Sequence, residues 1–179
     1  MKWQIDPAHT NVTVAVKHMA ISTVRGRFTS GAEGSIEYDP QAPEIARVEL
    51  RIKAASIDTG DAKRDGHLRS PDFLDAEKYP EITFKSTTIE RKGNNDWLAR
   101  GNLTIRDVTK PVEVKVETLG VVDDPYVKQR VGFDATARFD RREWGLVWNM
   151  SVPSGLLVGE QVKIEFSVEA IPEQTPAAA

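Results

Sequence analysis

Cysteine is absent from this sequence of 179 residues. The chain therefore has no disulfide, no thiolate nucleophile and no cysteine-ligated metal, and bridges give no indication of its redox compartment. An excess of basic charge is also lacking, since 24 Lys and Arg residues against 27 Asp and Glu residues leave a formal net charge of -3. We therefore do not expect nucleic acid as a partner.

Long hydrophobic runs are missing as well. No apolar segment approaches the roughly 18 residues that a membrane-spanning helix requires. Residues 1–7 are followed by polar sequence and not by the continuous apolar stretch of a secretory signal. These observations predict a soluble, cytoplasmic protein with no integral membrane association, or a periplasmic one if a leader has been removed.

Motifs for catalysis and metal binding are scarce. The sequence has no G-x-S-x-G elbow and no phosphate-binding glycine loop. His9, His18 and His67 lie too far apart for local metal-ligand spacing, so we expect no metal. Asp65 beside His67 is the best candidate for a reactive cluster. Since it lacks a nucleophile in a suitable context, we do not expect an enzyme and assign no catalytic residue.

An alternation of apolar and polar residues is the dominant pattern that is present. In residues 161–170, Val162, Ile164, Phe166 and Val168 alternate with polar residues, as in a strand with one buried and one solvent-facing side. The eight segments that we interpret as strands are 12–18, 32–38, 47–53, 82–89, 97–106, 112–117, 131–139 and 161–170.

These strands predict an all-β fold. So many long strands, each with one apolar face and little helix to cover it, must curl or stack. An extended eight-stranded antiparallel barrel removes the exposed edges, and a two-sheet sandwich fits the same pattern. The length suits one domain over residues 1–172, with a disordered C-terminal tail at 173–179.

A short helical insertion is predicted near residues 60–77. Ser70 is a suitable N-cap and Pro71 suits the first helical position, so we expect a helix that begins at Pro71 and ends before Pro80. Residues 59–68 form another turn or two in this interpretation.

Small residues at mid-strand positions raise the possibility of a hollow interior. Ala135 and Ala137 lie between bulky residues of one predicted strand, and Ala99 and Gly101 thin out another. Such residues either leave space for one small ligand or accommodate large neighbours such as Phe84 in a solid core. The pattern leaves both readings open.

Two further segments bear on the predicted interior. Trp144, Leu146, Trp148 and Met150 share one alternating phase, which indicates an aromatic-rich strand or rim that suits either an apolar ligand or plain core. Residues 23–27 are basic but few, and we interpret them as a solvated turn.

Several blocks, taken in their order and spacing, resemble the YceI-like family. They are residues 3–10, 16–19, 24–28, 64–75, 79–86, 101–111 and 142–146. The resemblance covers nearly the whole chain. In the last block the family often has phenylalanine at the position of Trp144, which indicates a tunnel of different length or shape.

The resemblance implies a lipocalin-like barrel whose lumen binds a long-chain polyisoprenoid lipid, such as an isoprenoid quinone or its precursor. It implies carriage or storage and not catalysis, and a homodimer is a further expectation. A stress-associated interaction protein with a filled barrel, or an enzyme acting on an amphiphilic substrate, is the alternative.

The residues expected to bind the ligand follow from their phase and their place in these blocks. We expect His18, with Arg64 or Arg69, near the entrance, where a polar head group would lie. The full predicted set is Val14, Val16, His18, Phe28, Arg64, Leu68, Phe73, Phe84, Leu103, Phe133, Ala135, Ala137, Phe139, Trp144, Leu146 and Trp148.

Overall fold

A computed structural model describes residues 1–39 and 41–173 of the chain. This part contains one α-helix, α1 (Ala62–Arg69), and four 3-10 helices, at Pro7–His9, Pro43–Ile45, Ala54–Ser56 and Arg141–Trp144. The strands are β1 (Lys2–Ile5), β2 (Asn11–His18), β3 (Ser22–Phe28), β4 (Glu33–Glu37), β5 (Arg47–Lys53), β6 (Ile57–Asp58), β7 (Glu81–Arg91), β8 (Asp96–Ile105), β9 (Val108–Asp124), β10 (Lys128–Asp140), β11 (Ser151–Val152), β12 (Gly155–Leu156) and β13 (Val158–Pro172).

Eight of these strands close into an antiparallel barrel. Their order around the ring is β1, β4, β5, β7, β8, β9, β10 and β13, and the pairing of β13 with β1 completes it. The predicted all-β, eight-stranded barrel is therefore confirmed. Closure pairs the edges that an open sheet would expose.

The long strand β13 has a different neighbouring strand at each end of the barrel. Its last residues pair with β1, whereas Val158–Ser167 pair with β2. Beyond β2 the sheet continues through β3 to the short β6, which leads directly into α1. The helix is thereby placed at the end of the barrel to which β2 and β3 belong.

The register of β10 against β13 shows which side chains share the inner face. Ala135 pairs with Phe166, and Ala137 pairs with Ile164. Since side chains alternate along a strand, these residues point to the same side, while Glu165 between them points outward and is exposed. The alternation predicted for both strands is correct.

The helical insertion lies upstream of its predicted position. Helix α1 is N-capped by Asp61, whose carboxylate accepts a hydrogen bond from the backbone N–H of Arg64. The chain then reverses, with Asp75 in a left-handed conformation (φ 47°) and its N–H donating to the Ser70 carbonyl. The prediction of a helix that begins at Pro71 is therefore wrong, because that proline begins a turn.

The predicted turn at residues 23–27 is wrong, and so is the strand alternative for the segment after Asp140. Residues 23–27 belong to β3 and pair with β2. Hydrogen bonds to β2 stabilise a strand that the basic composition of these residues does not indicate. The segment after Asp140 is not a strand, since it forms a 3-10 helix and then an irregular stretch up to Met150. Of the predicted tail, Glu173 hydrogen-bonds to Lys2, and residues 174–179 lie outside the described part.

No helix within residues 1–39 and 41–173 has both the length and the apolar character needed to cross a membrane.

Candidate functional site

The barrel encloses a cavity of about 660 Å³. Its walls come from the inward-facing side chains of the eight barrel strands, from β2 and β3, and from α1 and the turn that follows it. The solid-core alternative is therefore wrong for this lumen. Apolar residues of the wall include Val14, Val16, Phe28, Val48, Leu50, Ile52, Leu68, Phe73, Phe84, Leu103, Val114, Val116, Phe133, Phe139, Ile164 and Phe166.

Some of the small mid-strand residues leave space in the lumen, and one accommodates a large neighbour. Ala99, Ala135 and Ala137 line the cavity, so their short side chains leave space in the lumen. Gly101 instead accommodates a large neighbour, because a Cβ atom placed on it would lie 2.5 Å from Cζ of Phe84. The alanines and Gly101 therefore have different roles.

One end of the barrel is closed by large apolar side chains. Trp3 and Val131 are fully buried there, and the Trp3 indole N–H donates to the Tyr38 carbonyl at 3.2 Å. The ring of Tyr38 meets that of Phe133 edge to face, with centroids 5.3 Å apart. We call this the closed end.

The other end carries the mouth of the cavity. Among the lining residues, those classed as exposed are Lys17, Asp61, Lys63 and Arg64, which lie at the end of β2 and at the start of α1. With Arg141, they make up the charged residues of the lining, and four of these five are cations. The mouth is thus polar and cationic, in contrast to the apolar wall behind it.

Hydrogen bonds to Thr59 fix α1 at the mouth. The buried carboxylate of Asp65 accepts from the Thr59 backbone N–H at 2.9 Å and from its hydroxyl at 2.6 Å. The Arg64 guanidinium donates to the same hydroxyl at 2.7 Å. Close approach requires Gly26 on β3, since a Cβ atom there would lie 2.8 Å from the Thr59 methyl group.

An aromatic cluster connects α1 to the segment after β10. The imidazole of His67 meets Phe73 and Trp148 edge to face, at centroid distances of 5.0 and 4.5 Å. Its Nε2 atom hydrogen-bonds to the Asp72 carboxylate at 2.8 Å. His67 and Asp65 therefore have separate partners, and the structure does not join them into the reactive cluster considered from the sequence.

Arg141 holds the mouth segment by hydrogen bonds to backbone carbonyls. The side chain is buried, and its guanidinium donates to the carbonyls of Gly159, Leu146, Trp148 and Val158. Burial lowers the pKa of this guanidinium from its ordinary value. Nothing in the sequence distinguishes Arg141 from its exposed neighbour Arg142, so its role could not be predicted.

Fifteen of the sixteen predicted ligand-binding residues line the cavity, among them Arg64 and His18 at its mouth. Trp144 does not: it is 1% exposed, its indole N–H donates to the Leu103 carbonyl at 3.0 Å, and it packs on Phe139. The 3-10 helix turns this side chain into the wall and away from the cavity lining. Arg69, the alternative to Arg64, also lies outside the lining and donates to backbone carbonyls.

The described residues contain no group of three or more His, Asp or Glu side chains arranged to hold a metal ion. The lining residues combine an apolar wall with a polar mouth.

Several solved structures share this fold. BcnA of Burkholderia cenocepacia superimposes with a TM-score of 0.79 at 23% identity, covering 92% of this chain and 98% of BcnA. A YceI protein of Campylobacter jejuni gives 0.76 at 29% identity, covering 88% and 90%. A polyisoprenoid-binding domain of Saccharophagus degradans gives 0.67 at 14% identity, covering 94% and 97%.

Sequence comparison identifies the family. A UPF0312 protein of Shewanella baltica is 36% identical over 164 residues, covering 92% of this chain and 83% of the relative. The family model described as the YceI-like domain matches residues 3–170. The chain therefore belongs to the YceI-like family.

Proposed function

We propose that this protein binds a long-chain polyisoprenoid lipid, an isoprenoid quinone or its precursor, in the lumen of its barrel, and that it carries or stores that lipid. The observation that carries the proposal is the apolar cavity of about 660 Å³ with a cationic mouth. Its volume falls within the range of about 300–1,000 Å³ usual for small-molecule sites.

The energetics favour a long chain over a short one. Each five-carbon unit that leaves water for an apolar wall gains about 3–4 kcal/mol, from about 0.8 kcal/mol per buried carbon group. Association and ordering of a flexible tail cost roughly 4–15 kcal/mol. Several units must therefore be enclosed before binding is tight, and a deep lumen closed at one end by Trp3 and Tyr38 suits that requirement.

Binding, and not catalysis, is supported by the partners of the polar groups near the mouth. Asp65 is engaged by Thr59, and His67 by Asp72 and two aromatic rings. The fold shared with a domain described as polyisoprenoid-binding is consistent with a lipid ligand. A cytoplasmic location and a homodimer remain predictions.

A substitution that fills the lumen tests the proposal. Titration with all-trans-retinol, a fluorescent isoprenoid, is expected to show saturable binding to the unaltered protein and none to Ala137→Trp, because the indole would occupy the cavity. Arg138→Trp is the matched control, since Arg138 is the adjacent, outward-facing residue of β10. Circular dichroism confirms that both variants fold.

The proposal fails if Ala137→Trp folds and still binds retinol as the unaltered protein does. It also fails if both tryptophan variants weaken binding equally, since a general disturbance of β10 would then explain the loss.

A further inference from the structure

We propose that the rim of the mouth docks on the surface of a membrane that contains anionic lipids. The proposal rests on the lipid-binding function above and adds the place where the ligand enters and leaves. A polyisoprenoid is insoluble in water, so it must pass between a membrane and the lumen without crossing bulk solvent.

Exposed apolar side chains lie beside the mouth. Ile21 at the tip of the β2–β3 hairpin is 81% exposed, and Val147, Met150 and Leu156 are exposed on the segment that follows β10. We call these four residues the mouth rim. Large apolar side chains of this kind gain free energy when they enter the interfacial region of a bilayer.

Backbone hydrogen bonds make the rim continuous with the cavity. The N–H of Met19 donates to the Leu157 carbonyl, and the N–H of Leu157 donates to the Met150 carbonyl, both at 2.9 Å. Leu157 and His18 line the cavity, while their neighbours Leu156 and Ile21 belong to the rim. A surface that covers the rim therefore also covers the opening of the lumen.

The charge at this end complements an anionic surface. Lys17, Lys63 and Arg64 are exposed at the mouth against one carboxylate of the lining, Asp61, although the whole chain has a formal charge of -3. Neither Lys17 nor Lys63 forms a salt bridge with any side chain of residues 1–39 and 41–173. Unpaired exposed lysines beside apolar side chains are typical of surfaces that bind anionic lipid headgroups.

The hairpin turn that presents Ile21 is conformationally unfavourable. Met19 and Ala20 both adopt left-handed backbone conformations, with φ of 51° and 60°. Left-handed positions in tight hairpin turns favour Asn and Gly, and other residues in this region are strained. The fold maintains the strain, and the result is a turn that projects an isoleucine into solvent beside the mouth.

Exposed apolar residues at the closed end supply a matched control. Leu119 and Val122 are exposed near the β9–β10 turn, and Tyr126 lies in the turn itself. The N-terminal residues of β10 pair with the end of β13 at Ala170, which belongs to the closed-end cluster. This patch lies away from the mouth, so substitutions there change surface hydrophobicity without altering the rim.

Co-sedimentation of the full chain with vesicles tests the docking surface. We expect binding to vesicles of equimolar phosphatidylcholine and phosphatidylglycerol, much weaker binding to phosphatidylcholine alone, and release at high salt. Ile21→Ser/Met150→Ser should lower the affinity for the anionic vesicles at least about tenfold. Leu119→Ser/Tyr126→Ser should leave it unchanged.

Retinol titration of the same variants separates this proposal from the function on which it rests. The rim variant should bind retinol as the unaltered protein does, because neither substituted residue lines the cavity. Vesicle binding without retinol binding would overturn the lipid-binding function and leave the docking surface in place.

Three results would overturn the docking proposal itself. They are retinol binding with no binding to anionic vesicles, an equal loss of vesicle binding in the rim and closed-end variants, and a rim that joins two copies of the chain. Sedimentation equilibrium detects the last as a dimer that Ile21→Ser/Met150→Ser dissociates.

Discussion

The imidazole of His67 meets the indole of Trp148 edge to face, with ring centroids 4.5 Å apart. His67 lies on α1. Trp148 lies on the segment after β10, and its backbone carbonyl accepts a hydrogen bond from the Arg141 guanidinium. This contact therefore joins α1 to the segment that follows β10, and both residues also line the cavity.

Loss of this contact should speed the release of a bound ligand. Aromatic pairs of this geometry contribute about 0.5–1.5 kcal/mol, so Trp148→Ala should raise the dissociation rate of retinol about three- to tenfold. Stopped-flow fluorescence measures the rate. In the double variant His67→Ala/Trp148→Ala the effects should be less than additive, and strictly additive effects would show that the two rings act independently.

Replacement of Arg141 should destabilise the protein. Arg141→Met leaves carbonyls of the mouth segment without their donor, and we expect the free energy of unfolding in urea to fall by about 2–4 kcal/mol. Arg141→Lys should recover part of this loss at most, because an ammonium lacks the fork of donors that a guanidinium offers. Full recovery by lysine would mean that charge alone is required.

The contact between Gly101 and Phe84 predicts opposite effects for two glycine substitutions. Gly101→Ala places its Cβ atom 2.5 Å from both the Phe84 ring and the Lys85 carbonyl, so it should cost about 1–3 kcal/mol of stability. Gly66→Ala meets nothing within 4 Å in the helix α1 and should stabilise by about 0.5–1 kcal/mol. Urea unfolding measures both, and a neutral Gly101→Ala would contradict the close approach.

Ion pairs of Arg130 make the stability of the closed end dependent on pH. Its guanidinium lies 2.6 Å from the Asp124 carboxylate and 2.7 Å from that of Asp6. The hydrogen bond from Arg130 is the main reason that the pKa of Asp124 falls to about 2 from an ordinary 3.8. Burial raises the pKa of Asp6, but hydrogen bonds from Arg130 and His9 outweigh it and leave that pKa below its usual value.

The direction of the pH effect follows from these lowered values. A carboxyl with a lower pKa in the folded state stabilises the fold above its unfolded pKa, and that contribution disappears as the pH falls through the folded pKa. Asp124 should therefore support stability above pH 3.8 and lose this role between pH 3.8 and about 2. Urea unfolding at neutral pH and in this acid range measures the change.

Arg130→Met is the variant that tests this assignment. It should be less stable at neutral pH and should lose less stability in the acid range than the unaltered protein does. Arg100→Met, which removes an arginine paired with exposed Glu90 and Glu113, is expected to change stability little. An unchanged acid response in Arg130→Met would show that other carboxyls govern it.

The architecture was predictable because alternation extends over most of the barrel. In β13, Ile164 and Val168 are buried while Glu165 is exposed, so period-two patterning follows directly from one face lying against the lumen. The same phase identified most of the cavity wall. The phase did not separate Ala135, which lines the cavity, from Gly101, whose adjacent space is occupied by the Phe84 ring. The volume of a residue does not show which neighbour lies opposite it.

The mouth was harder to predict, since caps and short turns, not alternation, set its structure. Pro71 has a sound local signal for the start of a helix, yet the Asp61 cap and the bonds from Thr59 to Asp65 place the helix upstream. Trp144 shares the phase of Trp148, but Trp144 ends a 3-10 helix and the residues between the two are not a strand. Caps and short turns of this kind are local but not periodic, so the alternation of apolar and polar residues contains no information about them.

The central claim is that the lumen holds an isoprenoid hydrocarbon, and native mass spectrometry of the protein purified without detergent tests it most directly. The expected result is a species heavier than the bare chain, whose extra mass is extracted by organic solvent and fragments at intervals of one isoprene unit. A bare chain that also takes up no retinol, or an extracted compound without that repeating unit, would contradict it.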